Sequence, residues 1–171
     1  LDAQLARLDA AGRNVSSAGS FAQMQDAHLR GLDGIVNRMG ELAIKAQDGT
    51  IPDDIRALYD TEFQQLKGMV NDVRTAQLND VNLFDGQARE VTVSPEGDSV
   101  TMGDVDLFTD EFNVLTANTT RLTSMEGARA ALDATSAAGA SVSIERADIG
   151  GTLSRLETAS AQLTSQRGSM T

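Results

Sequence analysis

The chain of 171 residues contains no cysteine, no tryptophan and only two prolines. Without cysteine it can form neither a disulfide nor a thiolate-based catalytic or metal site. Aromatic residues make up only 4% of the chain, so Ala, Leu, Val and Met must supply most of the core, as in helix bundles. Its one histidine excludes the two-histidine metalloprotease motif H-E-x-x-H.

Positive charge is also scarce, because 14 Lys and Arg residues face 25 Asp and Glu residues and the formal net charge is -11. A surface of this sign repels nucleic acid phosphates and anionic lipids. No apolar run approaches the roughly 20 residues that a membrane span needs, and no signal peptide is visible. We therefore expect neither nucleic acid nor a membrane as a partner.

The first 48 residues contain two apolar rows in which positions recur every seven residues. Such a repeat is typical of a long helix with one narrow buried seam. It predicts a helix over residues 1–48. The rows are Leu1, Leu8, Val15, Ala22, Leu29, Val36 and Ala43, and Gln4, Ala11, Ala18, Gln25, Leu32, Met39 and Ala46.

The same spacing returns at the other end of the chain and predicts a second long helix over residues 120–171. Its row consists of Ala128, Thr135, Val142, Ile149, Leu156, Leu163 and Met170. Two long helices at opposite ends of a short chain predict one domain, residues 1–171, in which they pack together. The expected fold class is mainly α, an elongated antiparallel helical bundle or coiled coil with a small β-hairpin insertion.

A helix over residues 50–77 is predicted between these two. Gly49 suits the end of the first helix, Thr50 can cap the next one, and Pro52 fits its first turn. An apolar stripe at helical spacing follows, formed by Ile55, Tyr59, Phe63, Leu66, Val70 and Val73.

Residues 78–119 break the helical pattern and read as a loop and β-hairpin region. Alternation over 90–93 and 99–102 around the turn Pro95-Glu96-Gly97-Asp98 predicts two strands, and 105–108 is a candidate third. The acidic run Asp104, Asp106, Asp110 and Glu111 lacks the register of a calcium loop and is interpreted as a solvated loop. We expect no metal and no cofactor.

No catalytic residues are predicted, since nothing supplies an activated nucleophile or a tuned acid and base. His28 alone on an Ala-rich helix is typical of a packed or solvated histidine. The most informative surface set is Arg38, Leu42 and Glu62. Arg38 and Leu42 are four residues apart and share one helix face, and Glu62 should lie opposite on the antiparallel second helix. The residues alone predict an intramolecular ion pair and a helix contact.

Several segments, taken in order, resemble bacterial flagellin. The stretch from Asn37 to Ala46 is similar to the flagellin segment Q-R-M-R-E-L-A-V-Q-A, although Gly40 and Lys45 differ from it. Residues 79–86, N-D-V-N-L-F-D-G, resemble F-N-G-x-x-L-L-D-G, with Asp80 in place of Gly. Residues 145–151 and 154–157 resemble the R-A-x-L-G-A and N-R-L-E signatures of the C-terminal half.

The resemblance implies a non-enzymatic structural subunit that is secreted through the flagellar export apparatus and polymerises into the extracellular filament for swimming motility. It implies other flagellin subunits, an export chaperone and hook-associated proteins as partners. It further implies that a face with Arg38, Leu42, Lys45 and Glu62 packs against neighbouring subunits, and is the patch that the vertebrate flagellin-sensing Toll-like receptor recognises.

The resemblance also implies terminal segments, which form the inner tube of the filament, on both sides of this core region. Leu1 is not Met and both ends fall within helical patterns, so we expect a piece of a longer protein. Two alternatives stay open. The hook-filament junction protein shares the C-terminal signatures, and a generic coiled-coil adaptor would share the long helices.

Overall fold

The computed structural model describes residues 2–170, so two predicted positions lie outside it: Leu1, the first member of the apolar row, and Thr171, the last residue of the range predicted for the C-terminal helix. Within that range the mainly helical prediction is confirmed. The elements are α1 (Asp2–Ala46), α2 (Asp53–Arg74), β1 (Gln77–Leu78), β2 (Val81–Asn82), β3 (Arg89–Thr92), β4 (Ser99–Met102), α3 (Asp110–Thr116) and α4 (Met125–Met170).

The seam between α1 and α4 forms the long axis of the core. The row from Leu8 to Ala43 is buried at every seventh position, and so is the α4 row from Ala128 to Leu163. With 45 and 46 residues, each helix is about 68 Å long. The many alanines among the buried residues of both helices let the two backbones lie close together, so the core is long and thin.

The turn between α1 and α2 is held by Arg56 and not by the predicted cap. Its guanidinium donates to the carbonyl oxygen of Ala46 (2.9 Å), the last residue of α1, and to that of Asp48 (3.2 Å), which also accepts from the Ile51 amide. The Thr50 hydroxyl donates to the Asp48 carboxylate at 2.7 Å. The helix predicted over residues 50–77 is shorter in the structure, where α2 spans Asp53–Arg74.

The buried face of α2 differs from the predicted apolar stripe. Of that stripe only Phe63 and Val70 are fully buried, and its other four members are half-buried. The remaining buried positions of this helix are charged: Arg56, Asp60, Lys67 and Arg74. Hydrophobicity alone could not show this, because Asp60, Lys67 and Arg74 bind polar groups that are 39 or more residues away in the chain.

The predicted β-hairpin is present as the antiparallel pair β3–β4, in which Val91 lies opposite Val100. The candidate third strand was wrong, because within 105–108 only an isolated bridge between Asp106 and Asp85 forms. The short pair β1–β2 was not predicted. Its turn places Asn79 and Asp80 at φ of 51° and 63°, a left-handed conformation that Asn and Asp tolerate better than most residues.

The predicted start of the last helix at residue 120 was also wrong. A short helix, α3, comes first, residues 117–124 are not helical, and α4 begins at Met125. The Leu122 amide donates to the Asp60 carboxylate at 2.8 Å, and the Ala117 carbonyl accepts from Lys67 at 2.7 Å. Backbone groups that find partners outside the segment do not need a helix to satisfy them.

Carboxylates of α4 and of the segment that follows β4 lie near one another. The pKa of Glu145 on α4 is raised, first by burial and then by the negative charges of Asp148, Asp104 and Asp106. A raised carboxyl pKa means that the folded chain holds this proton more tightly than the unfolded chain does. The resulting stabilisation is present in acid and is lost as pH rises through the raised folded value.

We predict that Glu145→Gln increases the free energy of unfolding at neutral pH, since it removes a half-buried charge from among three like charges. Denaturant unfolding at about pH 7 and pH 5 measures the effect. The gain should shrink at the lower pH. Glu157→Gln, at an exposed position of α4, is the matched control, and an equal effect of both substitutions would contradict the assignment.

We predict that Leu32→Ala lowers the free energy of unfolding by about 2–5 kcal/mol, because it leaves a cavity in the seam. Leu32 is fully buried. Arg30→Ala is the control on the same helix, where the exposed pair with Asp26 (2.8 Å) should contribute about 0–1 kcal/mol. Denaturant titration compares both with the parent chain, and equal losses would mean that the seam is not the core.

Candidate subunit-contact surface

The structure brings Arg38 of α1 and Glu62 of α2 together. Arg38 Nε donates to Glu62 Oε1 at 2.7 Å and a terminal guanidinium nitrogen donates to Glu62 Oε2 at 3.2 Å. The other terminal nitrogen donates to Glu41 at 3.0 Å. Both side chains of the main pair are 41% exposed, so the pair is a surface feature that bridges two helices.

The electrostatics of this pair keep both groups charged. The hydrogen bond from Arg38 lowers the pKa of Glu62, and the positive charges of Arg38 and Lys45 act in the same direction. The hydrogen bonds from Glu62 and Glu41 raise the pKa of Arg38 further above neutrality. The patch therefore presents a fixed guanidinium between two carboxylates.

Leu42 does not belong to this exposed surface. Its side chain is fully buried in the core, which corrects the prediction that it shares the exposed contact face with Arg38. Residues four apart on a helix are displaced by about 40° around its axis. That rotation suffices to turn Leu42 towards the core while Arg38 stays at the boundary.

The other predicted member, Lys45, is exposed near Glu62. Sequence reasoning missed the apolar residues beside the ion pair. Leu58 is 65% exposed and Met69 is 49% exposed, and they lie four residues before and seven after Glu62, on the same face of α2. Their spacing from Glu62 was visible in the sequence. That Leu58 and Met69 point outward is known only from the structure, which shows which face of α2 is buried.

Within 2–170, no group of three or more His, Asp or Glu side chains is arranged to hold a metal ion. His28 packs edge-on against Phe84, with ring centroids 6.1 Å apart. Over the same residues, no helix combines the length and the hydropathy that a membrane crossing requires.

Comparison with known proteins identifies relatives of this chain. Residues 1–89, just over half of the chain, match the family described as the bacterial flagellin N-terminal helical region. Flagellin of Listeria monocytogenes is 30% identical over 106 residues, which are 59% of this chain and 37% of that protein. Flagellin of Halalkalibacterium halodurans is 29% identical over 158 residues, or 91% and 58%. The chain thus spans well under two thirds of these relatives.

Two solved structures have similar folds. Bacillus cereus flagellin superposes with a TM-score of 0.77 at 28% identity, over 93% of both chains. A structure described as a flagellar hook-associated protein of Vibrio parahaemolyticus gives the same TM-score at 16% identity, over 95% of this chain and 87% of that one. At that identity the second likeness shows the fold alone. The family match over residues 1–89 shows more: the chain belongs to the bacterial flagellin family.

Proposed function

We propose that this chain is the helical core of a structural subunit of the bacterial flagellar filament, used for swimming motility. The observation that carries the proposal is the family membership combined with a fold that matches a flagellin over 93% of both chains. The long α1–α4 rod with its thin core suits a load-bearing element. The described residues contribute no metal cluster, and we propose a role without catalysis.

Polymerisation in this proposal is mechanical. Contacts between unlike faces of identical subunits form a ring only if successive rotations return to the first subunit. Otherwise subunits continue to add, and a helical filament results. The exposed ion pair between Arg38 and Glu62, flanked by Leu58 and Met69, has the composition of such a contact face. Apolar anchors supply the energy, and a positioned arginine supplies orientation.

The remaining partners follow from the same assignment. We infer an extracellular location in the flagellum, reached through the flagellar export apparatus, with an export chaperone before assembly and hook-associated proteins at the filament ends. We further infer that the surface around Arg38, Lys45 and Glu62 is accessible to the vertebrate flagellin-sensing Toll-like receptor on unassembled subunits. Leu42 is left out of this surface because it is buried.

We predict that a cysteine placed in the full-length protein by Glu96→Cys labels the filament along its whole length. Glu96 lies exposed in the turn between β3 and β4. Isolated filaments are treated with a maleimide dye, imaged, then dissociated and analysed on a gel beside filaments of the parent strain. A single spot at the filament base would instead identify the junction protein, and unlabelled filament subunits on the gel would favour the adaptor.

We predict that Arg38→Ala in the full-length protein raises the monomer concentration needed for polymerisation about tenfold or more, as the loss of an interface anchor does. The melting temperature of the monomer should change little, because an exposed ion pair contributes little to folding. Arg30→Ala is the control on the same helix. Normal polymerisation by a strongly destabilised Arg38→Ala monomer would make Arg38 an internal structural residue.

A further inference from the structure

A row of three buried charged residues runs along α2 and faces the segment that connects the hairpin to α4. Asp60, Lys67 and Arg74 are seven residues apart and are only 5%, 5% and 8% exposed. Positions seven apart share one side of a helix. In a bundle such a row is normally apolar, so its charge has to be explained by what lies against it.

Residues 108–122 lie against this row, and we name them the strap. The first anchor is Arg74, whose guanidinium stacks over the Phe108 ring at 4.6 Å. It donates to Asn113 Oδ1 at 2.6 Å and to the Thr116 hydroxyl at 3.1 Å. The C-terminal end of α2 therefore binds the beginning of the strap.

The second anchor is Lys67, one heptad closer to the start of α2. Its ammonium donates to the carbonyl oxygens of Ala117, at 2.7 Å, and Thr120. It also lies 5.5 Å from the centroid of the Phe63 ring. One buried lysine thus binds two backbone carbonyls just beyond α3, and the Gln64 side-chain amide donates to the second of them at 3.3 Å.

The third anchor is Asp60, which receives the end of the strap. Its carboxylate accepts from the Leu122 amide at 2.8 Å and from Arg121 at 3.3 Å. The strap therefore runs antiparallel to α2 and meets the three charges in order. The strap is therefore bound to α2 at three successive positions along the helix.

Both ends of the strap are bounded by contacts that do not involve α2. Before it, the Leu107 amide donates to the Phe84 carbonyl at 3.3 Å. After it, α4 has its own cap, since the Gly127 amide donates to the Ser124 hydroxyl at 3.0 Å. Lifting the strap would separate α3 from both α2 and α4, against which it packs, but it would leave these two bounding contacts and the direct packing of α1 on α4 in place.

We propose that the strap opens and closes on α2 as one unit, with Asp60, Lys67 and Arg74 as its fasteners, while the α1–α4 seam stays folded. The underside of the strap buries Phe112, Leu115 and Leu122, so the closed form dominates. Charged fasteners suit a reversible closure, because the desolvation that closure imposes offsets much of their attraction. Open segments of this kind are the sub-global units seen in native-state exchange.

The chain contains a built-in probe for this motion, because its two lysines differ in exposure. Lys45 is exposed on α1, whereas Lys67 is covered by the strap. Burial lowers the pKa of Lys67, with the charge of Arg121 acting in the same direction and that of Asp60 opposing it. The closed strap holds this proton less tightly than the open one, so raising the pH does not itself open the strap.

The test is acetylation of the native chain with an N-hydroxysuccinimide ester at about pH 9, where a fraction of free lysine is neutral. Mass spectrometry follows each lysine separately. We expect Lys67 to react about 100-fold more slowly than Lys45, while the helical circular dichroism signal is constant. Reaction of Lys67 only after that signal is lost would overturn the proposal.

Opening as one unit is tested at a fastener that does not touch Lys67. Arg74→Gln should accelerate acetylation of Lys67 about tenfold, and Arg129→Gln, at an exposed arginine of α4, should not. Thiol labelling of Ala138→Cys, in the buried seam, reports global unfolding in each background. An unchanged Lys67 rate in Arg74→Gln, or equal acceleration at Lys67 and at position 138, would overturn the proposal.

Discussion

Every other part of this molecule depends on the close packing of α1 against α4. The two helices come from opposite ends of the described chain, and their buried rows recur every seven residues. Because alanines are frequent among the buried residues of both helices, the helices approach closely and little volume is left for bulky side chains. Stability must therefore come from many small contacts along about 68 Å of helix, and α2, α3 and the hairpin are added to the sides of this rod.

The elements added to the rod are held by polar contacts to a degree unusual for a helix bundle. Arg56 closes the α1–α2 turn, and Gln25, inside the seam, donates to the Leu83 carbonyl at 2.6 Å. Each of these buried groups donates to a backbone oxygen at a helix end or in an irregular segment. The arrangement explains how a chain with few aromatic residues orders the long stretch between Arg74 and Met125. Side chains from the helices replace the hydrogen bonds that a larger sheet would have provided.

What the sequence could predict follows from the range over which each signal acts. The heptad rows and the alternation around residues 95–98 are local patterns, and both elements formed where they indicated. The non-helical segment between α3 and α4 is bound by Lys67 and Asp60, which lie 50 and 62 residues from the Ala117 and Leu122 groups that they contact, so no local window contained the information. The prediction that Leu42 is exposed was wrong for a geometric reason. Its spacing from Arg38 fixes the angle between the two side chains around the helix axis, but it does not show which side of the helix faces the core.

In the proposed function, the surface pair of Arg38 and Glu62 is the link between this internal architecture and assembly. Its two residues lie on different helices, so its geometry exists only when α2 is docked on α1. An arginine held by two carboxylates has already lost much of the side-chain freedom that binding would otherwise remove, and such preorganisation strengthens an interface without adding contacts. Leu58 and Met69 add apolar area beside it. In the proposed assembly the subunit acquires this contact face by folding, and α2 serves two purposes, because it carries Glu62 on one side and the buried row of Asp60, Lys67 and Arg74 on another.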